Sequence, residues 1–457
     1  MIESGRSDTI VGIATPPGTG AIGVIRVSGP LAVPTVSRIV RVGGPSGLGA
    51  CTSRVLHVAT LIDPTTGGEL DRALVVRMPG PASYTGEDVV EISCHGNPVL
   101  LREIVDRLVS DGARLAEPGE FTRRAYLNRR MDLLQVEAIA ELIAARTERA
   151  IRNAARQLRG TLAAEVGALR ERLLDVMAGL EASLDFPDEG VGPSDLESLK
   201  QLTELQGSLD SFVVKARQGR AVQDGLTVVL VGAPNVGKSS LLNRLLGAER
   251  AIVSPMPGTT RDLVDGTVVI HGVPVRLVDG AGLGVAQDAV DAEGMWRIRQ
   301  VVGDSDLALV ILDLSRPPAR ADWEVLELTA KGERLVIGNK SDLASVSQAT
   351  MVAECRCSAL TGEGMAAIEK LLGNWVQQQT AADGEEGAVV ASMRVIDSLR
   401  AAREAVDKAA GSLGRVPVEA ALVDLGQAKR ELDRIMGRME EDGAVLDLIF
   451  SKFCIGK

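Results

Sequence analysis

Cysteine is scarce in this chain, and so are aromatic residues, excess positive charge and long apolar runs. The five cysteines among 457 residues, at positions 51, 94, 355, 357 and 454, are odd in number and scattered. That argues against a disulfide framework and points to a reducing compartment. Cys355 and Cys357 stand one residue apart, on the same face of a strand. With no second Cys/His pair beside them they read as structural rather than metal-binding. Aromatics make up 2% of the residues and the net charge is −11. A protein that grips RNA alone usually carries a basic face or stacking platforms. A nucleic-acid partner here is therefore expected at a local patch, or held mainly by another protein. No uninterrupted apolar run reaches about 18 residues, and no stretch near the start combines basic, apolar and small-residue segments as a leader does. These absences predict a soluble, cytoplasmic protein without a membrane partner.

A chain of this length is expected to form about two or three domains, and its 45% hydrophobic content is enough to build their cores. Residues 1–118 carry short β-branched runs ("TIVGIAT", "AIGVIRVSG", "ALVVRMP", "DVVEISCHG") separated by turn residues, with one helical pattern over 99–111; this reads as an α+β domain. Residues 119–220 turn helical. "LLQVEAIAELIAARTERAIRNAARQLRG" keeps apolar residues at helical spacing throughout, from Leu134 through Ile143 and Ile151 to Leu158, and a second long helix follows until Pro187. Residues 221–378 alternate strands and helices in the rhythm of a doubly wound α/β domain, and 379–457 is helical again. The expected architecture is a multidomain α/β protein: an α+β N-terminal domain, then a discontinuous helical bundle interrupted by an inserted P-loop domain. Helices on the two sides of the insert would bury apolar stripes against each other.

"GAPNVGKSS" (232–240) follows the strand "LTVVLV" and opens a helix, the context that G-x-x-x-x-G-K-[ST] requires. Gly232 and Gly237 allow a tight turn whose N–H groups face phosphates. Asn235, Val236, Gly237, Lys238, Ser239 and Ser240 form this loop, with Lys238 on the β- and γ-phosphates and Ser239 on Mg²⁺. "SPMPGTTRD" supplies Ser254, Pro255, Met256, Pro257, Gly258, Thr259 and Thr260, the last a further Mg²⁺ ligand. "VRLVDGAGLG" supplies Asp279, Gly280, Ala281 and Gly282: the carboxylate holds Mg²⁺ through water and the Gly282 N–H senses the γ-phosphate. "VIGNKSD" supplies Asn339, Lys340 and Asp342, whose carboxylate accepts the N1–H and 2-amino group that guanine has and adenine lacks. "CSAL" adds Ser358, Ala359 and Leu360, with the Ala359 N–H able to reach guanine O6. The nucleotide is therefore GTP. Leu283 stands where Ras-like enzymes have their water-positioning glutamine, so hydrolysis must orient water another way.

These segments, together with "SYTGEDVVEISCHGN", "PGEFTRRAYLNRRMDLLQVEAI", "DFPDE" and the terminal "FCIGK", resemble nearly end to end the tRNA-modifying GTPase family MnmE, also called TrmE. The resemblance implies a homodimer that joins an MnmG-type FAD protein in a heterotetramer. The pair would modify carbon 5 of the wobble uridine of certain tRNAs, installing a 5-carboxymethylaminomethyl-type group from 5-formyl- or methylene-tetrahydrofolate. It also implies hydrolysis activated by K⁺, held by Asn235, Ser254, Met256 (through its carbonyl) and Thr259, in place of an arginine finger. The water-orienting glutamate of the family aligns with Asp291, with Glu293 as the alternative; Lys238 completes the catalytic set. Arg26, Glu91, Arg130 and Lys457 match the folate positions, where a carboxylate suits a pterin edge and cations suit the glutamate tail. Four departures stand out: Gly280 for threonine, expected to loosen the switch backbone; Asp291 for glutamate; Arg130 for lysine; and Asn97 for glycine.

The tail "SKFCIGK" is not a prenylation box, because Gly456 and Lys457 are wrong for one and no polybasic stretch supports anchoring. Leu446, Ile449, Phe450 and Phe453 form an apolar stripe that should dock it. It is expected to reach a site in the N-terminal domain, with Cys454 either a reactive thiol or a packing residue. Two rival readings are a regulatory GTP switch of the ribosome-assembly kind, whose basic RNA-binding module is not evident, and a folate-binding scaffold with a degenerate GTPase domain.

Overall fold

The structure, a computed structural model, describes residues 8–43, 47–186, 193–247, 251–252, 265–280, 299–343, 352–380, 391–438, 443–451, 453 and 456. The chain divides into two compact units. One comprises Met1–Ala140, Ala163–Glu171 and Gly426–Lys457, the other Glu141–Leu162 and Arg172–Leu425.

The strands of the first unit are β1 (Ile10–Ile13), β2 (Gly20–Ser28), β3 (Val40–Val42), β4 (His57–Ile62), β5 (Glu69–Met78), β6 (Val89–Gly96) and β7 (Arg114–Leu115). They form one sheet in the order β3-β4-β5-β6-β2-β1-β7. Residues alternate across it as period two requires. Ile25 and Val27 of β2 are fully buried beside Val90 and Ile92 of β6, and pack with Val36 and Ile39 of α1 (Ala32–Ile39) and Ile104 and Leu108 of α2 (Pro98–Ser110). Arg26 and Glu91, in register with each other, fall on the opposite face. Helix α2 starts where it does because the Asn97 side chain accepts the N–H groups of Val99 and Leu100, with proline next in line. That cap gives the unexpected asparagine a local reason.

Helices α3 (Glu120–Leu127), α4 (Leu133–Ala144), α5 (Glu148–Leu158), α6 (Thr161–Asp185) and α7 (Asp195–Asp224) follow. The continuous helix expected over 133–158 is broken. Thr147 turns extended, and its Oγ1 accepts the Ala150 N–H and caps a new helix. Ile143 and Ile151, expected on the buried stripe, are instead about half exposed on either side of the break.

In the second unit, β8 (Leu226–Val231), β9 (Ala251–Ile252), β10 (Asp265–Ile270), β11 (Val273–Asp279), β12 (Leu307–Asp313), β13 (Arg334–Asn339) and β14 (Cys355–Arg356) form a sheet in the order β14-β13-β12-β8-β11-β10-β9. Strands from β14 to β11 run parallel, and the β10 and β9 edge is antiparallel. β12 is buried along its whole length, as the middle of a parallel sheet must be. Helices α8 (Lys238–Leu246), α9 (Arg320–Leu328) and α10 (Met365–Thr380) belong to this α/β layer, followed by α11 (Met393–Ser412), α12 (Val418–Ile435) and α13 (Gly443–Phe450).

The expected stripe across the insert is present. α7 buries Leu202, Leu205, Leu209 and Phe212, and α11 buries Val395, Leu399, Ala402, Val406 and Ala409, each with alternating steps of three and four. Arg403–Asp210 at 3.0 Å and Gln206–Asp407 at 2.8 Å tie the flanks of this seam. In the first unit, Leu446, Ile449, Phe450 and Phe453 join Leu133 and Val136 in a separate small core, so the C-terminal stripe does dock.

Candidate functional site

Strand β8 has neighbours on both sides, β11 and β12, and the chain leaves it at the point where the strand order reverses. This is where open α/β sheets bind ligands. The loop 232–237 lies here and runs directly into α8. Gly237 adopts φ 95°, and a Cβ there would stand 2.3 Å from Asn339 Nδ2, so the position requires glycine on both counts. Asn235 is also left-handed, at φ 63°. The Lys238 ammonium turns back onto its own loop, donating to Gly232 O and Ala233 O at 3.0 Å each. Burial pushes its pKa down, partly opposed by the Asp279 carboxylate. Ser239 Oγ donates to Asp279 Oδ2 at 2.5 Å, with the carboxylate almost fully buried at the end of β11. A hydroxyl and a carboxylate held together are hard oxygen donors that suit Mg²⁺.

Gly280, expected to loosen the chain, is instead buried and drawn in. Its N–H donates to Leu230 O at 3.0 Å, and a Cβ there would meet that same oxygen at 2.8 Å.

The end of the site where the sequence places the base is built on the loops after β13 and β14. Asn339 donates to Val236 O at 2.8 Å and accepts the Ala359 N–H at 2.9 Å, so it bridges the phosphate loop to the second loop. The Ala359 N–H is thus held by Asn339, where the sequence suggested it would be open to a guanine oxygen. Lys340, at φ 64°, is anchored to Asp313 Oδ2 at 2.7 Å. Burial pushes the Asp313 carboxyl up, but Lys340 and Ser315 outweigh it and hold the group below the usual range. Asp342 is exposed in the short turn Ser341–Leu343. Ser358 closes its loop by accepting the Thr361 N–H on its hydroxyl and the Gly362 N–H on its carbonyl. Cys357 is buried, its thiol pushed up to about 12 by burial, and donates to Asn339 Oδ1 at 3.6 Å. Sequence reasoning missed Asp313; its signal was a carboxylate ending the strand "LALVILD".

A second constellation lies in the first unit. Arg26 Nε and Glu91 Oε1 pair at 2.8 Å across β2 and β6. The guanidinium stands over two rings, 5.0 Å from the Tyr84 centroid and 5.6 Å from that of Phe121. Arg130 is exposed, its methylenes beside Gly86, two residues after Tyr84. Gly12, the register partner of Arg26 on β1, would carry a Cβ 3.2 Å from both Gly456 Cα and Phe121 Cε2. Gly456 therefore lies against the strand beside Arg26. Tyr84 and Phe121 were not singled out from sequence, although tyrosine occurs only twice in the chain.

Ser254, Pro255, Met256, Pro257, Gly258, Thr259, Thr260, Ala281, Gly282, Asp291, Glu293, Cys454 and Lys457 lie outside the described residues. Among the described residues no helix is long and apolar enough to cross a membrane.

A phosphate loop at the switch point of a parallel sheet, with Ser239 and Asp279 beside it and an Asn-Lys-x-Asp loop at the base end, defines a P-loop GTPase fold. Residues 9–130 match the model of the GTP-binding protein TrmE N-terminus and residues 133–454 that of the MnmE helical domain. A tRNA modification GTPase MnmE of Moorella thermoacetica is 40% identical over 98% of this chain and 99% of its own length, and one of Koribacter versatilis is 41% identical over the same shares. This chain belongs to the MnmE family. Among solved structures, the G domain of the T. maritima FeoB iron transporter is 24% identical, covers 33% of this chain and 99% of its own, and has a TM-score of 0.27.

Proposed function

We propose that this chain hydrolyses GTP and takes part in tRNA modification. The observation that carries the reading is the pairing of Ser239 with Asp279 beside Lys238, in a chain that aligns nearly end to end with proteins named for that activity. Lys238 would exchange its two loop carbonyls for β- and γ-phosphate oxygens, a charge-assisted replacement. Ser239 and Thr260 would hold Mg²⁺, with Asp279 reaching it through water, and the ion supplies positive charge to the developing phosphate oxygens when bound. Asp342 would select guanine. Asp291, or Glu293, would orient the attacking water.

The finer reading has four parts. K⁺ held by Asn235, Ser254, Met256 and Thr259 would activate hydrolysis. A folate one-carbon donor would lie on Arg26, Glu91, Arg130 and Lys457. An MnmG-type FAD protein would form a heterotetramer with a homodimer of this chain in the cytoplasm. The product would be a wobble uridine modified at carbon 5. The Arg26–Glu91 pair supports the folate part: a pterin edge offering two N–H donors to Glu91 would replace the arginine there, and the ring faces of Tyr84 and Phe121 border the same place. The domain bounds 1–118, 119–220, 221–378 and 379–457 belong to the same proposal.

Two measurements test it. Mass spectrometry of wobble uridines from cells lacking this protein is expected to show the loss of the carbon-5 group; unchanged nucleosides overturn the role in modification. Phosphate release from GTP is expected to be far faster in K⁺ than in Na⁺, and equal rates remove the potassium part.

A further inference from the structure

Helix α8 begins at the phosphate loop, and its sixth and seventh positions are Asn243 and Arg244. Arg244 reaches the loop after β14 with two bonds: Nε donates to Ala359 O and Nη2 to Leu360 O, each at 2.9 Å. Gly362 makes room for it. At φ 91° that residue is left-handed, and a Cβ there would stand 2.2 Å from Arg244 Nη1. Both carbonyls belong to planar trans peptides, so fixing each oxygen also fixes the N–H of the following residue in the opposite direction. The Leu360 N–H is thereby turned away from α8. From the other side, Asn339 holds the Ala359 N–H at 2.9 Å and ties itself to Val236 O. The loop that meets the base is thus clamped between two side chains, and both trace back to the phosphate loop.

We infer that Arg244 is a positioning residue for guanine recognition: with the Ala359 N–H held by Asn339 and the Thr361 N–H by Ser358, it orients the 359–360 peptide so that the Leu360 N–H meets the 6-oxo group of the base. The inference rests on the guanine-nucleotide reading above. The fork of a guanidinium matches two adjacent carbonyls, which a lysine ammonium cannot do with the same geometry. The 2-amino edge is left to Asp342, whose turn Arg244 does not touch in any of its described bonds.

The test measures affinity for GDP, 6-thio-GDP and IDP with the full-length protein. Replacing oxygen by sulfur at position 6 weakens the acceptor, and IDP lacks the 2-amino group that Asp342 reads. In the unaltered protein GDP is expected to bind more tightly than either analogue. If it binds no guanine nucleotide at all, the reading of the site itself fails. Arg244→Ala is expected to weaken GDP roughly tenfold, the order of one or two hydrogen bonds. It should shrink the GDP to 6-thio-GDP ratio toward one, and leave the GDP to IDP ratio unchanged. Arg244→Lys should recover part of the GDP affinity with a still-reduced 6-thio discrimination. Equal losses for all three ligands in both variants mean that Arg244 only holds the loop together and overturn the proposal, as does unchanged GDP affinity. If the alanine variant does not fold, the lysine variant carries the same comparison.

Discussion

Lys238 spends its two described bonds on neutral carbonyls, those of Gly232 and Ala233, and its partial burial lowers its pKa. A phosphate oxygen is a stronger partner than either, because one member of the new bond is an anion. Lys238→Ala should therefore lower the rate of phosphate release roughly 100-fold or more, the scale of losing one electrostatic donor to developing charge. The melting temperature should barely change, since no carboxylate among the described residues takes a hydrogen bond from this ammonium. A variant that keeps its hydrolysis rate rules out Lys238 as a phosphate ligand. Residues of this kind were legible because spacing in a single short segment determines their geometry. Tyr84, Phe121 and Asp313 were not, because sheet register and helix packing bring them to Arg26 and Lys340 from distant positions. Gly280 was misread for a related reason: a glycine in a loop suggests freedom, but here it admits a close approach to Leu230 O.

Among the elements, the break between α4 and α5 shows how one side chain overrides an apolar pattern. The spacing from Leu134 to Leu158 suits a single helix, yet the Thr147 hydroxyl satisfies the Ala150 N–H and starts a second one. Sequence periodicity cannot show that choice, because both arrangements keep the same residues at helical spacing. Thr147→Ala should cost about 1 kcal/mol of stability, read as a lower denaturation midpoint with an unchanged slope. The β4–β5 connection gives a pH-dependent counterpart. Asp63 accepts the Thr66 hydroxyl and the Thr65 N–H at 2.8 Å each and an Arg107 bond at 2.5 Å from α2, and these partners hold its carboxyl at about 2. A folded pKa below the ordinary carboxylate value gives stability that is complete above about 4 and is lost as pH falls toward 2. The stability difference between the unaltered protein and Asp63→Asn should therefore be constant from neutral pH down to the ordinary carboxylate range and shrink below it. A difference that stays constant through that acid window shows that the carboxylate's charge contributes nothing.

For the molecule as a whole, the two candidate sites belong to different units. The phosphate loop lies in Arg172–Leu425, and the Arg26–Glu91 pair lies in the unit that contains both the first strands and Gly426–Lys457. That division gives the end of the chain its meaning. Phe453 is buried in the small core with Phe450 and Leu446, and buried Gly456 lies against Gly12 and Ile13 of β1, the neighbours of Arg26 and Phe121. The apolar stripe made docking legible in the sequence. The strand on which the tail docks was not, because contact across more than 400 residues leaves no local pattern. Changes at sites with no shared partners act independently. Removing residues 454–457 should therefore abolish the proposed modification of the wobble uridine, measured by nucleoside mass spectrometry, while phosphate release stays within roughly twofold of the intact chain. Phe453 and the core around it remain in that truncated chain, so the unit keeps its hydrophobic anchor. Loss of both activities would make the tail a purely structural element, and retention of both would detach it from the proposed one-carbon chemistry altogether.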